Sequence, residues 1–135
     1  MLTLSAKVAY GVQLLRSLKR RGRQAAPVPL QPLARELRLP YRYLAQVARQ
    51  LRRAGLVESF EGVHGGYRLA QAPSNITLNS IITALEPRRP LAQCLRTALE
   101  RRCPCGGRCG TQAWWRAVES RLQRELRHLT LARLR

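Results

Sequence analysis

Apolar residues in the first 53 positions recur at the three- and four-residue steps of an α-helix. This spacing predicts helices over residues 4–18, 30–37 and 41–53, with Pro40 suited to the first helical position of the third. The basic run at residues 19–23 contains a glycine, so we expect a solvated loop there rather than a dedicated phosphate site.

The third predicted helix has two distinct faces. Its apolar stripe faces inward and consists of Leu44, Val47, Ala48 and Leu51. Its polar stripe follows the steps i, i+4, i+7 and i+11 and consists of Arg42, Gln46, Arg49 and Arg53. A solvated face, which is the alternative, usually mixes both signs of charge, and this stripe has no acid. Guanidinium groups around a glutamine suit phosphates and base edges.

Two short strands at 56–60 and 67–70 are predicted to follow, joined by a glycine-rich turn at 61–66. A short helix, a turn, a second helix and a hairpin in this order predict a winged helix-turn-helix, whose second helix enters the major groove of DNA. The candidate DNA-binding residues are Arg42, Tyr43, Gln46, Arg49 and Arg53 on the helix and His64, Gly65 and Gly66 on the wing. The fold class expected is mainly α with a small β-hairpin wing.

The C-terminal part is predicted to contain a helix at 77–85, a short one at 91–99 and a long one at 111–129. The long helix carries a heptad-like apolar seam made of Trp115, Val118, Leu122, Leu126 and Leu129. At 1.5 Å per residue it is roughly 25 Å long, which suits a dimerisation arm. Packing of the seam on its own domain is the alternative.

The net charge of the chain indicates which class of partner it binds. Among 135 residues, 25 are Lys or Arg and seven are acidic, which gives a formal net charge of +18. The positive electrostatic field of such a charge favours a polyanionic partner. Nucleic acid is the first candidate, and an anionic membrane surface is the alternative. No apolar run approaches membrane-spanning length and the N-terminus lacks the layout of a signal peptide, so we expect a cytoplasmic protein with no membrane partner.

Four cysteines form the second chemical signal: Cys94, Cys103, Cys105 and Cys109. In a reducing compartment, clustered thiols bind metal or do redox chemistry more often than they form structural disulfides. Soft thiolates suit both iron-sulfur clusters and zinc, and nearby arginines offset their negative charge. The single residue between Cys103 and Cys105 is awkward for a four-cysteine zinc site, which favours three of the four as cluster ligands.

Several motifs resemble the Rrf2-type family of bacterial winged-helix regulators, in its IscR/NsrR-like branch. The resemblance covers nearly the whole chain, and the wing motif is its most specific part. The matching segments are residues 4–7 (LSAK) with Tyr10, 43–46 (YLAQ), 51–57 (LRRAGLV), 62–67 (GVHGGY), 76–78 (ITL) and 129–131 (LTL).

The resemblance implies a homodimer that binds a palindromic operator and holds an iron-sulfur cluster. Cys103 and Cys109 have the separation of two family ligands, and Cys94 would be the third, while Cys105 is a possible additional ligand. We expect a 2Fe-2S cluster ahead of 4Fe-4S. Ala9 and Gln112 stand where some members have other ligands, so the fourth ligand stays open.

Two further departures from the family concern DNA. Ala45 stands where some members have a glutamate that filters DNA sequences, and Glu61 replaces an arginine of the wing. The DNA sequence preference of this chain is therefore expected to differ from that of the better-known family members.

These observations predict a cytoplasmic transcriptional regulator, not an enzyme, whose operator affinity is controlled by a cysteine-ligated cluster. Its expected parts are a DNA-binding domain at 1–88, a cysteine loop at 89–110 and a dimerisation helix with its tail at 111–135. One alternative is a constitutive DNA-binding protein with structural zinc. Another is a thiol oxidoreductase using Cys103 and Cys105, which leaves the basic helix unexplained.

Overall fold

The computed structural model describes residues 3–87, 90–92, 95 and 110–135. The described residues form five α-helices, one two-stranded antiparallel sheet and a final 3₁₀ turn. In chain order these are α1 (Ala6–Arg21), α2 (Leu30–Leu37), α3 (Tyr41–Arg53), β1 (Val57–Phe60), β2 (Gly66–Leu69), α4 (Leu78–Leu85), α5 (Gln112–His128) and the 3₁₀ turn Leu131–Arg133. The predicted class, mainly α with a hairpin wing after a helix-turn-helix, is confirmed. The helix predicted at 91–99 lies mostly outside the described residues.

The first helix runs further than its apolar pattern predicted. The loop expected at residues 19–21 is wrong, because α1 continues to Arg21 and ends only at Gly22, which has φ 87°. Lysine and arginine are good helix formers and interact favourably with the negative end of the helix dipole, so basic residues extend the helix rather than break it.

The turn between α2 and α3 is closed by backbone hydrogen bonds. Arg38 adopts the left-handed conformation, and the amide of Leu39 donates to the carbonyl of Ala34 over 2.9 Å. Pro40 lies at the N-cap of α3, one residue before the first helical position predicted for it, and its fixed φ suits entry into the helix. The compact turn sets α3 directly against α2.

The hydrophobic core lies between α1, α2, α3 and α4. The apolar stripe of α3 is fully buried in it, as the sequence predicted: Leu44, Val47, Ala48 and Leu51 all have 0% exposure. Leucines of α1 and α2, the isoleucines Ile76 and Ile81, and Leu131 complete the same cluster. Because one side of α3 is fixed in the core, its other side must face outward.

A Schellman-type turn joins α3 to the wing. The amide of Leu56 donates to the Leu51 carbonyl over 3.0 Å, and the amide of Gly55, at φ 73°, donates to the Arg52 carbonyl over 2.9 Å. The strands pair with Val57 opposite Leu69. Strand β1 begins one residue after its predicted start, and β2 begins and ends one residue before its predicted bounds.

A second bridge ties the hairpin to the rest of the fold. Tyr67 exchanges backbone hydrogen bonds with Val28 at 2.8 and 2.9 Å, so the segment before α2 pairs with β2. The hairpin is therefore anchored on both sides, by the turn after α3 and by the chain before α2.

The C-terminal segment returns to the winged unit. Thr77 and Ser80 form a capping box at the start of α4. Thr77 also bridges to Thr130, the Leu78 amide donates to the Leu129 carbonyl over 2.7 Å, and the Leu131 amide donates to the Ile76 carbonyl over 2.8 Å. The C-terminal end of α5 is thus fastened by backbone hydrogen bonds to the start of α4.

Gly66→Ala should destabilise the fold strongly. A Cβ there would lie 2.2–2.3 Å from the backbone C and O of Val28, at a φ of 147° that other residues rarely adopt. We expect the free energy of unfolding to fall by about 3 kcal/mol or more, measured by chemical denaturation.

The matched control is Gly22→Ala, which also has positive φ but meets nothing within 4 Å. It should cost about 1–3 kcal/mol, the backbone strain of φ 87° and ψ 149° without any steric overlap. Equal losses for the two variants would contradict the close approach at Val28.

Candidate nucleic-acid interface

The outward face of α3 carries four exposed polar residues. Arg42, Gln46, Arg49 and Arg53 are all exposed, opposite the buried stripe. Their span of eleven residues corresponds to about 16 Å along the helix axis. Since α3 contains no acidic residue, its exposed face presents guanidinium groups around one amide. This pattern can neutralise phosphates and read base edges.

Two residues of α3 that sequence reasoning did not single out are also exposed. Arg52 adds a guanidinium beside the stripe, and Tyr41, with 51% exposure, stands at the first helical position. Arg52 could have been identified from its three-residue step from Arg49. The N-terminal residues of a recognition helix contact bases, so position alone could have identified Tyr41.

Tyr43 has a different environment from the other candidates. It is half-buried against the core, and its ring meets that of Tyr10 edge-on, with centroids 5.3 Å apart and planes at 88°. Such a pair stabilises the contact between α1 and α3 beyond the area it buries. The structure therefore gives Tyr43 a packing partner inside the fold.

The wing candidates lie in and next to the tip of the hairpin. His64 is exposed, while Gly65 closes the tip by donating its amide to the Gly62 carbonyl over 3.0 Å. A Cβ on Gly65 would lie 2.3 Å from the Phe60 carbonyl oxygen, and Gly66 abuts Val28. Both glycines are thus required by the turn and by packing.

Charged side chains of the hairpin pair with each other. Arg68 donates from Nε to Oε1 of Glu58 over 2.5 Å, across the two strands. Its guanidinium carbon lies 4.5 Å from the centroid of the Phe60 ring. This network was not predicted, although the facing positions of residues 58 and 68 in a hairpin could have indicated it.

The basic end of α1 is partly used inside the molecule. Lys19 donates from Nζ to the carbonyls of Ala132, at 3.0 Å, and Leu134, at 2.5 Å. Arg21 forms an ion pair with Glu36 of α2. Lys19 thus binds the C-terminal residues to α1 through hydrogen bonds, and Arg21 binds α2 to α1 through its ion pair.

The cysteine candidates Cys94, Cys103, Cys105 and Cys109 lie outside the described residues. The chain enters their segment after α4 and leaves it at Gly110, just before α5. Within the described part of the chain, no three His, Cys, Asp or Glu side chains are grouped to hold a metal ion.

None of the helices described is long and apolar enough to cross a membrane.

Comparison with known proteins identifies the family. The Rrf2 family, described as iron-dependent transcriptional regulators, matches residues 4–135. The HTH-type transcriptional regulator IscR of Vibrio atlanticus is 36% identical over 111 residues, which are 82% of this chain but only 62% of that protein. The IscR of Vibrio campbellii is 32% identical over 97% of this chain and 76% of its own length.

Solved structures agree with this match. CymR, the global cysteine regulator of B. subtilis, superposes with a TM-score of 0.73 at 32% identity, covering 98% of this chain and 95% of that one. IscR of T. potens gives a TM-score of 0.70 at 32% identity, covering 97% and 84%. These relatives are transcriptional regulators and not enzymes, as the sequence predicted for this chain. The chain therefore belongs to the Rrf2 family of transcriptional regulators.

Proposed function

We propose that the protein is a cytoplasmic, homodimeric regulator that binds a palindromic operator, with an affinity controlled by an iron-sulfur cluster on Cys94, Cys103 and Cys109. The observation that carries the proposal is the acid-free outer face of α3, which is exposed along its length while its inner face is fixed in the core. That arrangement offers a rigid cationic helix to the major groove.

In the proposed complex, some residues of α3 would contact phosphates and others would read base edges. Arg42, Arg49 and Arg53 are placed to neutralise phosphates, and such contacts release counterions and make affinity depend on salt. Gln46 lies among them and has the donor and acceptor needed to read an adenine edge. Most of the affinity would then come from the attraction between arginines and phosphates. The sequence preference would come from Gln46 and from any arginine that contacts a base.

A homodimer is supported by the incomplete burial of α5. No residue of α5 is buried in the single chain, although the helix packs against α4. Within its apolar seam, Val118 is 38% and Leu129 46% exposed, while Trp115, Leu122 and Leu126 are only half-buried. A second copy that covers this seam would give the two α3 helices that a palindromic operator requires, with its half-sites about 34–36 Å apart.

The cluster proposal rests on the chemistry of the donor set. Three soft thiolates suit an iron-sulfur cluster, for which we favour 2Fe-2S over 4Fe-4S, and Cys105 supplies a spare thiol. When bound, such a cluster supplies a redox couple and a charge that changes with its oxidation state and occupancy. The cysteine segment connects α4 to α5, so a rearrangement of this segment would alter how the dimer helix is set relative to the core.

Replacing Gln46 with alanine should relax sequence preference while leaving the fold intact, since the side chain is exposed. We expect a loss of about 1–3 kcal/mol on the preferred duplex and little change on scrambled DNA. The measurement is a titration of duplexes selected from a random-sequence library by the unaltered protein. Gln13→Ala, an exposed glutamine on α1, is the matched control. Identical preference for Gln46→Ala and Gln13→Ala would rule out this docking.

Leu122→Glu should dissociate the dimer, because it places an unpaired charge in an apolar interface at a cost of several kcal/mol. Sedimentation velocity at micromolar concentration should show a monomer that keeps its helical circular dichroism. Ser120→Glu adds the same charge on the exposed side of α5 and should stay dimeric. An intact Leu122→Glu dimer would refute the seam as the interface.

Three cysteines should matter more than the fourth. Cys94→Ala, Cys103→Ala and Cys109→Ala should each abolish the visible absorption of anaerobically purified protein and the redox dependence of its operator binding. Cys105→Ala should keep most of both, because its single-residue spacing from Cys103 makes it the least suited ligand. The quantity to compare is the ratio of specific to nonspecific affinity at fixed salt.

Metal and sulfide analysis of the same preparations separates a cluster from structural zinc. Zinc without sulfide would defeat the cluster proposal, and bleaching by Cys105→Ala alone would defeat the ligand assignment. Equal affinity ratios for oxidised, reduced and cluster-free protein would defeat the switch.

A further inference from the structure

One residue other than glycine in the described part of the chain has a positive φ. Arg38, at the C-terminal end of α2, adopts φ 53° and ψ 42°, in the left-handed helical region. Residues with a Cβ are disfavoured there, because the Cβ approaches the following carbonyl oxygen, and glycine avoids this cost. The fold therefore keeps at Arg38 a backbone strain that a glycine would relieve.

The conformation of Arg38 is imposed by the turn that contains it. Its amide donates to the carbonyl of Arg35 over 3.2 Å, and the amide of Leu39 donates to the carbonyl of Ala34 over 2.9 Å. The Leu39 side chain packs against the core. These contacts fix the backbone between α2 and α3, and the side chain of Arg38 is exposed to solvent.

The guanidinium of Arg38 makes no ion pair within the described part of the chain. The two ion pairs found there join Arg21 to Glu36 and Arg68 to Glu58. Glu36 is the single acid among residues 1–57, and Arg21 already engages its carboxylate. The strained arginine thus adds no ion pair to the fold in return for its backbone cost.

Arg38 also adds to a concentration of positive charge. Arg35 lies three residues before it and Arg42 four residues after it, and all three side chains are exposed. Like charges this close together repel one another, which lowers the stability of the fold. The hairpin does not share this charge, since residues 57–69 carry two glutamates and one arginine. A cation kept at a strained position among other cations indicates an anionic partner.

We propose that Arg38 is a phosphate-binding residue that contacts the DNA backbone at the edge of the major groove entered by α3. This inference rests on the proposed function. Pro40 is the N-cap of α3, so Arg38 lies two residues before that cap. In a helix-turn-helix the N-terminal residues of the second helix contact base edges, while the first helix crosses the backbone. The turn between the two helices therefore passes the phosphates that border the groove.

A phosphate contact from the turn differs in its effect from a base contact on α3. A guanidinium on a phosphate neutralises one charge and releases counterions whatever the base sequence. Arg38 therefore raises the affinity for every duplex and fixes the position of α3 along the groove, whereas Gln46 selects among sequences. The fixed backbone of the turn holds the cation in place before DNA binds.

The test is Arg38→Gly in the full chain, purified anaerobically. Because glycine relieves the left-handed strain, the melting temperature should rise by about 2–6 °C. The affinities for a duplex selected from a random-sequence library and for a scrambled duplex of the same length should both fall about tenfold. The slope of log affinity against log salt should lose about 0.9 in magnitude for each half-site occupied. A gain in stability excludes unfolding as the cause of the lost affinity.

Three further variants are the controls. Arg38→Lys keeps both the strain and the charge, so it should retain most of the slope and the original melting temperature. Arg20→Ala removes an exposed arginine of α1 and measures the effect of net charge alone, so its affinity should stay close to that of the unaltered protein. Arg49→Ala removes a phosphate contact proposed for α3 and should lower the slope as Arg38→Gly does.

The outcomes distinguish this inference from the proposed function. If the unaltered protein prefers no duplex over scrambled DNA, the proposed operator binding is wrong. If it does, and Arg49→Ala lowers the slope while Arg38→Gly binds as Arg20→Ala does, only the phosphate contact of the turn is refuted. A lost preference for the selected duplex at an unchanged slope would also refute that contact, because Arg38 would then act through the geometry of the turn.

Discussion

The buried stripe of α3 is the constraint on which the rest of the arrangement depends. Leu44, Val47, Ala48 and Leu51 are fully enclosed by α1, α2 and α4, so the rotation of α3 about its own axis is fixed. Turning the helix would expose these side chains and bury guanidinium groups, at a cost of many kcal/mol. The basic outer face is therefore a consequence of core packing.

The two parts of the proposed DNA interface use opposite chemistry. Helix α3 has four arginines and no acid, whereas the hairpin that follows it has a net negative charge. Charge gives affinity for any duplex, while an amide such as that of Gln46 can discriminate between sequences through hydrogen bonds to base edges.

The two ends of α5, the proposed dimerisation helix, are attached differently. Its C-terminal end is fastened to the core through backbone hydrogen bonds around Thr77 and Thr130, and Lys19 of α1 holds the last residues of the chain. Its N-terminal end follows the cysteine segment directly. In the proposed switch, a change in that segment would reach the dimer seam first, while the anchored end transmits it to the winged unit.

The sequence alone determined the local elements of this protein. Helices α2 and α3 have the bounds that apolar periodicity and prolines predicted, and the hairpin differs by one residue at its ends, because these signals act between neighbours in the chain. The outward orientation of the arginines on α3 followed from the same periodicity. The grouping of the cysteines is likewise visible in the sequence, and so is the resemblance to the Rrf2 family.

Only the tertiary structure decided which residues make contacts with distant parts of the chain. It placed Tyr43 against Tyr10, Gly66 against the backbone of Val28, and Lys19 on the C-terminal carbonyls. It also extended α1 through its basic end, where the sequence pattern had indicated a loop. Most of these contacts join residues more than 30 positions apart, and their geometry depends on how the helices pack, which no local pattern of hydrophobic and polar residues specifies.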